Sequence, residues 1–430
     1  MTEISLNFYI TFFIFVLGLI NLTRVLFFIV GADIYRIKRL KMANFYEKNP
    51  LVNYPFLTII LPAYNEEKTV SACIESFTLI DYPKDKLNVL LVDDGSKDNT
   101  VKVAKNLLSK RNPWIKILEK ENGGKASAIN YGIKNANSNT EIVVCLDSDC
   151  SIARDGLSKI AQYFDYYPSL MALASHVTIL PEKTLLNMAQ EFEYLVSYQL
   201  KRALSVFNLE YIIGGIGSSF RYKDLLDIGL YDSDTMTEDI DLTMKLIRIN
   251  GNKKRKVFYA DDVITYAEAV PDLKGLIKQR FRWKFGRLQT FYKNRKLFFN
   301  FDRKYNWWLN FIYLPVEVVF ELIFLLQPLI LLWFFYITIR YQDVSTLFGA
   351  YIFISVYTIV SILGEDKYPF ERRLALFFYS IINFFINYYV SLSEYFALIM
   401  SLKKLPNLKK SISHQASKWV SPERTGVRRS

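Results

Sequence analysis

The chain has 430 residues, 51% of them hydrophobic and 16% aromatic, yet 22% charged, with a formal net charge of +12. This mixture is too apolar for a disordered or fibrous chain and too charged for one buried wholly in lipid. A water-exposed domain joined to membrane spans accommodates both properties.

Residues 8–30 are apolar apart from Asn21 and Arg24, long enough to cross a hydrocarbon core of roughly 30 Å. The length of the run and the missing small-residue cleavage site argue against a removable signal peptide. Arg36, Lys38, Arg39 and Lys41 follow this span, whereas the seven residues at the amino end carry only Glu3. By the positive-inside rule the chain enters the cytoplasm after the span. Further candidate spans cover residues 318–339, 346–363 and 374–400. One span before the soluble region and three after it would place the basic tail outside, against the same rule. Residues 307–339, with Pro315 and Pro328, have room for a re-entrant piece.

The expected organisation is a span and basic segment over 1–50, a soluble domain over 51–270, an interface region over 271–306, spans over 307–400 and a basic tail over 401–430. Residues 271–296 carry a charge of +8 and residues 401–430 carry +7, so the remaining 374 residues net −3. The basicity lies beside the membrane and is no footprint for nucleic acid, which is not expected as a partner. Cys73, Cys145 and Cys150 are an odd set without metal-ligand spacing, expected as reduced thiols in a cytosolic domain. His176 and His414 are too few for a multi-histidine metal site.

Within the soluble region, apolar runs at 56–62, 87–92, 114–118 and 141–146 read as strands, and 66–78, 97–110 and 125–136 as helices. Continuous apolar strands alternating with helices indicate an α/β fold with an open parallel sheet covered on both faces. Ligands bind such sheets beyond the carboxyl ends of the strands. The first strand leads there into Tyr64-Asn65-Glu66, the second into Asp93-Asp94-Gly95-Ser96, and the fourth into Asp147-Ser148-Asp149. One acidic turn is ordinary loop and cap chemistry. Three at one edge would repel one another unless a cation sits among them, and the hard oxygens suit Mg²⁺ beside substrate phosphates. Asn122-Gly123-Gly124-Lys125 lacks the spacing of a dinucleotide or Walker loop, but it presents a lysine at a helix start.

Thr237-Glu238-Asp239 precedes a predicted helix over 240–249. Its acids also suit a helix dipole, and Thr235 with Glu238 fits a capping box. The glycine-rich run Gly214-Gly215-Ile216-Gly217 brings backbone close to a ligand or a packed helix. Gln279-Arg280-Phe281-Arg282-Trp283 lies on an amphipathic segment whose apolar stripe runs through Leu273, Ile277, Phe281, Phe285 and Leu288. Taken alone, that is a helix resting on anionic lipid; it is also one able to aim guanidinium groups at a phosphate and an indole at a sugar.

In this order, these motifs resemble the processive, membrane-integrated family 2 glycosyltransferases, a group that also takes in hyaluronan, chitin and cellulose synthases. Within that family the chain is most similar to the bacterial poly-β-1,6-N-acetylglucosamine synthases, through Glu191-Phe192-Glu193-Tyr194, Lys201-Arg202 and the tail run Trp419-Val420-Ser421-Pro422-Glu423-Arg424. It departs from them in having one clear amino-terminal span where two are usual, and in the detail of its Gly215–Gly217 region. The resemblance implies a GT-A fold and a UDP-sugar donor, foremost UDP-N-acetylglucosamine. It implies inversion at the anomeric carbon and a growing glycan or lipid acceptor at the cytosolic face of the plasma membrane. Tyr64, Glu66, Asp93, Asp94, Lys125, Asp147, Gln279, Arg280 and Arg282 would bind the nucleotide sugar. Asp149 with Asp147 would hold Mg²⁺ or Mn²⁺, Asp239 with Glu238 would form the catalytic pair, and Trp283, Gly215 and Gly217 would meet the acceptor. Glu317, Glu321, Gln327, Asn383, Asn387 and Glu394 are candidates for a polar path through the spans. A single transfer to a membrane lipid, an inactive nucleotide- or glycan-binding scaffold, and an accessory membrane subunit all stay open.

Overall fold

The computed structural model describes residues 3–413 apart from 109–111, 181, 183, 343 and 366, so the tail run at 419–424 lies outside the described residues. Helix α1 (Glu3–Lys48) has two jobs along its length. Its outer half is the apolar run, and its inner half buries Tyr35, Met42 and Tyr46 in the soluble domain. Arg24, the charge within that run, reaches Glu317 at 2.8 Å and lies 4.4 Å from the Phe320 ring. Pairing is what makes an arginine tolerable at such a position.

The alternation read from sequence appears as β1 (Leu57–Ala63), α2 (Val70–Thr78), β2 (Leu87–Asp93), α3 (Thr100–Leu107), β3 (Ile115–Glu119), α4 (Lys125–Lys134) and β4 (Ile142–Cys145). Every residue of β1, β2 and β4 is buried, which is why their runs are continuously apolar. Next come β5 (Ser151–Ile152), α5 (Gly156–Tyr166), β6 (Leu170–Ile179), α6 (Leu185–Phe207), β7 (Ser218–Arg221), α7 (Tyr222–Asp227), α8 (Glu238–Asn250) and β8 (Lys256–Ala267). The eight strands form one sheet in the order β3-β2-β1-β4-β7-β6-β8-β5. The parallel expectation holds for β1 to β4 and for the β6–β8 pair, whereas β7 and β5 run antiparallel to their neighbours, so the sheet is mixed.

Register places the candidate motifs. Ala63 lies opposite Asp93, and Ile60 opposite Cys145. The loops after β1, β2 and β4 therefore leave the sheet at one edge and nearly one level.

After β8 the chain forms α9 (Leu273–Lys293), which Asp272 caps by accepting the Gly275 N–H at 2.8 Å. Beyond it lie a π-helical turn (Trp308–Tyr313), α10 (Leu314–Ile323), a 3₁₀ turn (Phe324–Leu326) and α11 (Gln327–Tyr341). The breaks fall beside Pro315 and Pro328, where proline removes a backbone donor. Then follow α12 (Ser345–Leu363), α13 (Phe370–Lys403) and α14 (Leu408–Ser413). Among the described residues, Asn7–Lys48 and Trp308–Tyr341 are the two helices long and apolar enough to cross a membrane.

Helix α9 is seated on these helices by ion pairs. Lys284 reaches Glu321 at 2.9 Å and Glu394 at 3.2 Å, Arg287 also meets Glu321, and Arg280 reaches Glu193 of α6 at 2.5 Å. Thus Glu321 and Glu394 are held by α9 cations, Glu317 is held by Arg24, and the Asn383 amide donates to Thr358. The Asn387 side chain lies outside the described residues.

Candidate active site

The site begins where β1 and β2 end. Asn65, in the left-handed region at φ 57°, accepts the Lys97 N–H through Oδ1, and its own N–H donates to Ser96 Oγ. Glu66 is buried, with its carboxylate accepting from Thr69 Oγ1 at 2.7 Å. Asp93 folds its carboxylate over the Gly95 and Ser96 N–H groups, both at 3.1 Å. Asp94 is fully buried and accepts from the Gly123 N–H at 3.0 Å, the Gly124 N–H at 2.8 Å and Lys120 Nζ at 2.6 Å. Gly95 adopts φ +76°, and a Cβ there would lie 3.0 Å from Asn122 N, so the two loops touch. In this arrangement Asp93 and Asp94 shape their loops, and Asp94 sets the turn that presents Lys125. Tyr64 stands half-buried at the same rim.

Lys125, the first residue of α4, is the centre of the cluster. Its Nζ lies 2.5 Å from Asp147 and 3.9 Å from Glu238. Burial works against the Lys125 charge, but Asp147 and Glu238 outweigh it and hold its pKa above the usual lysine range. Burial pushes the Asp147 carboxyl up, Lys125 opposes this, and Asp149 and Glu238 add to the rise. Asp149 accepts from the Cys150 thiol at 3.0 Å.

Glu238 and Asp239 open α8 beside them. The capping box expected from Thr235 and Glu238 does not form: the helix starts at Glu238, and its N-cap, Thr237, makes no side-chain cap bond. Burial, reinforced by Glu238 and opposed by Lys125, pushes the Asp239 carboxyl up to about 6. A Cβ on Gly215 would lie 3.1 Å from Lys125 Nζ and 3.7 Å from Asp239 Oδ2, so its backbone borders the cluster. Gly217 does other work: at φ +65°, its missing Cβ makes room for Ser175 and Thr265 of the sheet.

The α9 motif divides. Arg282 is exposed and close enough to act electrostatically on both Lys125 and Asp239. Arg280 is buried against Glu193 with its guanidinium 4.3 Å from the Trp283 ring, which fixes that indole from behind. Gln279 is half-buried one turn ahead of Trp283.

Residues 58–229 match the model of a family described as "Glycosyl transferase family 2". Over that stretch the chain is similar to a family 2 glycosyltransferase domain. Poly-beta-1,6-N-acetyl-D-glucosamine synthase of Staphylococcus aureus is 29% identical over 266 residues, 61% of this chain and 62% of that protein. The enzyme of the same name from Staphylococcus epidermidis is 32% identical over 232 residues, 54% of each chain. The match thus spans less than two thirds of these relatives' length. Among solved structures, the mannosyltransferase PcManGT from Pyrobaculum calidifontis, in complex with GDP-Man and Mn²⁺, superposes with a TM-score of 0.55 at 19% identity, covering 88% of this chain and 98% of that one. That likeness is one of fold, and the fold is GT-A.

Several residues outside the predicted site set shape the site. Lys120 pairs with Asp94, and Glu193 holds Arg280. Lys293 Nζ sits among Asp232, Asp234 and Asp241 at 2.7, 2.6 and 2.7 Å, tying α9 to the loop before Glu238. Those three acids are spaced as a metal site would be, but a lysine already supplies the cation.

Proposed function

We propose that this protein is a glycosyltransferase that uses a UDP-sugar, foremost UDP-N-acetylglucosamine, to extend a β-linked glycan at the cytosolic face of the plasma membrane, with export through its own helices. The observation that carries the reading is the meeting of Lys125, Asp147, Glu238 and Asp239 at one sheet edge, with the Gly215 backbone against them. The synthase relatives support the choice of sugar and polymer, and the long apolar helices support the membrane setting.

Asp147 and Asp149 fit a divalent cation. Both are hard oxygen donors, and burial holds the Asp147 carboxyl raised in spite of Lys125, so a second cation there would favour its charged form. Bound Mg²⁺ or Mn²⁺ would offset charge on the departing diphosphate. Lys125 and Arg282 supply positive charge beside the same group, while the loops of Tyr64, Glu66, Asp93 and Asp94 frame the nucleotide. Asp239 takes the proton from the acceptor hydroxyl as its oxygen bonds to the anomeric carbon and the bond from that carbon to the UDP oxygen breaks, giving inversion. With its carboxyl raised to about 6, Asp239 is ionised at neutral pH and still more basic than an ordinary aspartate, as suits a general base. Trp283, fixed by Arg280, offers a stacking face to the terminal sugar of the acceptor.

Membrane vesicles carrying the full chain, given radiolabelled UDP-N-acetylglucosamine with Mg²⁺ or Mn²⁺, test this directly. Label in an insoluble polymer cleaved by a β-1,6-glucosaminidase is the expected result. Label in a single-sugar lipid extract would replace polymer synthesis by transfer to a lipid, and no incorporation would overturn the choice of donor.

A further inference from the structure

We infer that Gln289, on α9, is a positioning residue for the loop that presents Asp239, and that it couples this loop to the carboxy-terminal helix α14. The inference rests on the reading of Asp239 as the base. The Gln289 side chain is fully buried. Its Oε1 accepts the Met236 N–H at 2.9 Å, and its Nε2 donates to Ser411 Oγ at 2.9 Å. A backbone N–H can only donate, so Met236 requires the amide oxygen to face it, and this turns the amide nitrogen toward α14. Ser411 in turn donates to the Leu408 carbonyl within α14. A continuous chain of bonds therefore runs from α14 through one side chain to the backbone three residues before Asp239.

The loop depends on this outside support because its own cap makes no side-chain bond. The Ile240 N–H turns instead to Asp239 Oδ1, at 2.8 Å. Helix α9 meets the loop at three successive points. Gly286 approaches so closely that a Cβ would lie 2.6 Å from Thr237 Cγ2 and 3.0 Å from Thr237 N. Gln289 holds Met236, and Thr290 Oγ1 lies 3.4 Å from Thr237 Oγ1. On its other side α9 is covered by the segment leading into α14, where Lys404 Nζ stands 4.7 Å from the Phe281 ring. A shift of α14 therefore reaches the base through the buried amide.

The test compares full-length Q289L, Q289E and S411A with the wild type in nanodiscs. It reads hydrogen exchange at residues 235–240 together with turnover of radiolabelled UDP-N-acetylglucosamine. Q289L removes the acceptor: the Met236 amide is expected to exchange at least about tenfold faster, and kcat to fall about tenfold with donor KM within about twofold. Q289E still accepts from Met236 and can accept from the Ser411 hydroxyl, so protection and kcat should stay within about threefold of wild type. S411A should raise exchange at Met236 by less than Q289L does. Wild-type exchange and turnover in Q289L would overturn the inference. So would a Q289E as impaired as Q289L, because that variant keeps both the shape of the side chain and an acceptor for Met236. Should the wild type not use this donor, the functional reading fails, and the exchange results decide the role of Gln289 by themselves. Should Q289L fail to fold, S411A with unchanged exchange at Met236 overturns the coupling, and increased exchange supports it.

Discussion

Removing Lys293 should destabilise the protein and convert its partners into a cation site. Lys293 Nζ lies within 2.7 Å of a carboxylate oxygen from each of Asp232, Asp234 and Asp241. The Asp241 side chain is fully buried, while Asp232 and Asp234 are about one third exposed. Stripping one partner from a buried ion pair costs roughly 3–5 kcal/mol, and exposed pairs contribute about 0–1. Asp241 therefore dominates the loss. Asn294 Nδ2 still donates to it at 2.9 Å, and Lys245 still holds Asp232 at 2.7 Å, so we expect Lys293→Met to cost about 2–4 kcal/mol.

Burial already raises the Asp241 carboxyl against Lys293, and without the lysine it rises further. A folded-state pKa above the unfolded one makes the folded form bind more protons, so the variant should regain stability as pH falls through that raised value. The three oxygens lie within 4.8 Å of one another, a separation that calcium–oxygen distances of about 2.3–2.6 Å can bridge. Calcium at tenfold its Kd at this cluster should return about 1.4 kcal/mol to the variant beyond any response it shares with the wild type, where the ammonium occupies the position. Thermal unfolding of the purified protein at pH 5 and pH 7.5, with and without CaCl₂, measures all three effects. A variant as stable as wild type, or equal calcium responses in the two proteins, would refute the reasoning.

Asp239→Asn should lower transfer by roughly 10²–10⁴-fold while leaving UDP binding intact by calorimetry, and near-normal turnover would remove Asp239 from the base role. Because the Asp239 carboxyl lies at about 6, transfer should decline as pH drops through that value. Glu238→Gln removes a negative neighbour that raises it, so the acidic limb should move to lower pH by roughly half a unit to one unit; a limb that stays or moves up would assign the titration elsewhere. Gly286→Ala puts a methyl group against Thr237, and kcat should fall by about tenfold with UDP affinity unchanged. Wild-type rates in that variant would show that α9 can back away from the loop at no cost to transfer.

The first half of the soluble domain was legible because β1, β2 and β4 are buried on both faces and so advertise themselves as unbroken apolar runs. Their shared edge followed from the alternation, and the register of Ala63 with Asp93 bears it out. The second half was harder to read. Strand β8 interrupts its apolar run with Asp261 and Asp262, whose charges are absorbed by Arg202, Arg39 and Tyr163 from elsewhere in the chain. Strands β5 and β7 are only two and four residues long. Within the site, the strand-end acids stand out by position. The separate settings of Arg280 and Arg282 do not, because two residues apart on a helix means different faces, and only the packing tells that Glu193 is waiting for the first. Gln289 carried no local signal at all, since both its partners come from distant segments.

The family match ends at residue 229, nine residues before Glu238, and α9 begins later still. The family match and the proposed reacting unit therefore have different borders in this chain. A fragment cut at the edge of the match would keep the loops of Asp94 and Asp147 but lose Asp239, the Arg282 charge and the Trp283 face. Helix α9, which carries Arg282 and Trp283, is itself pinned by Lys284 to Glu321 and Glu394, so its position depends on α10 and α13. Detergents or lipids that shift α10 and α13 would, on this arrangement, act as modulators of catalysis.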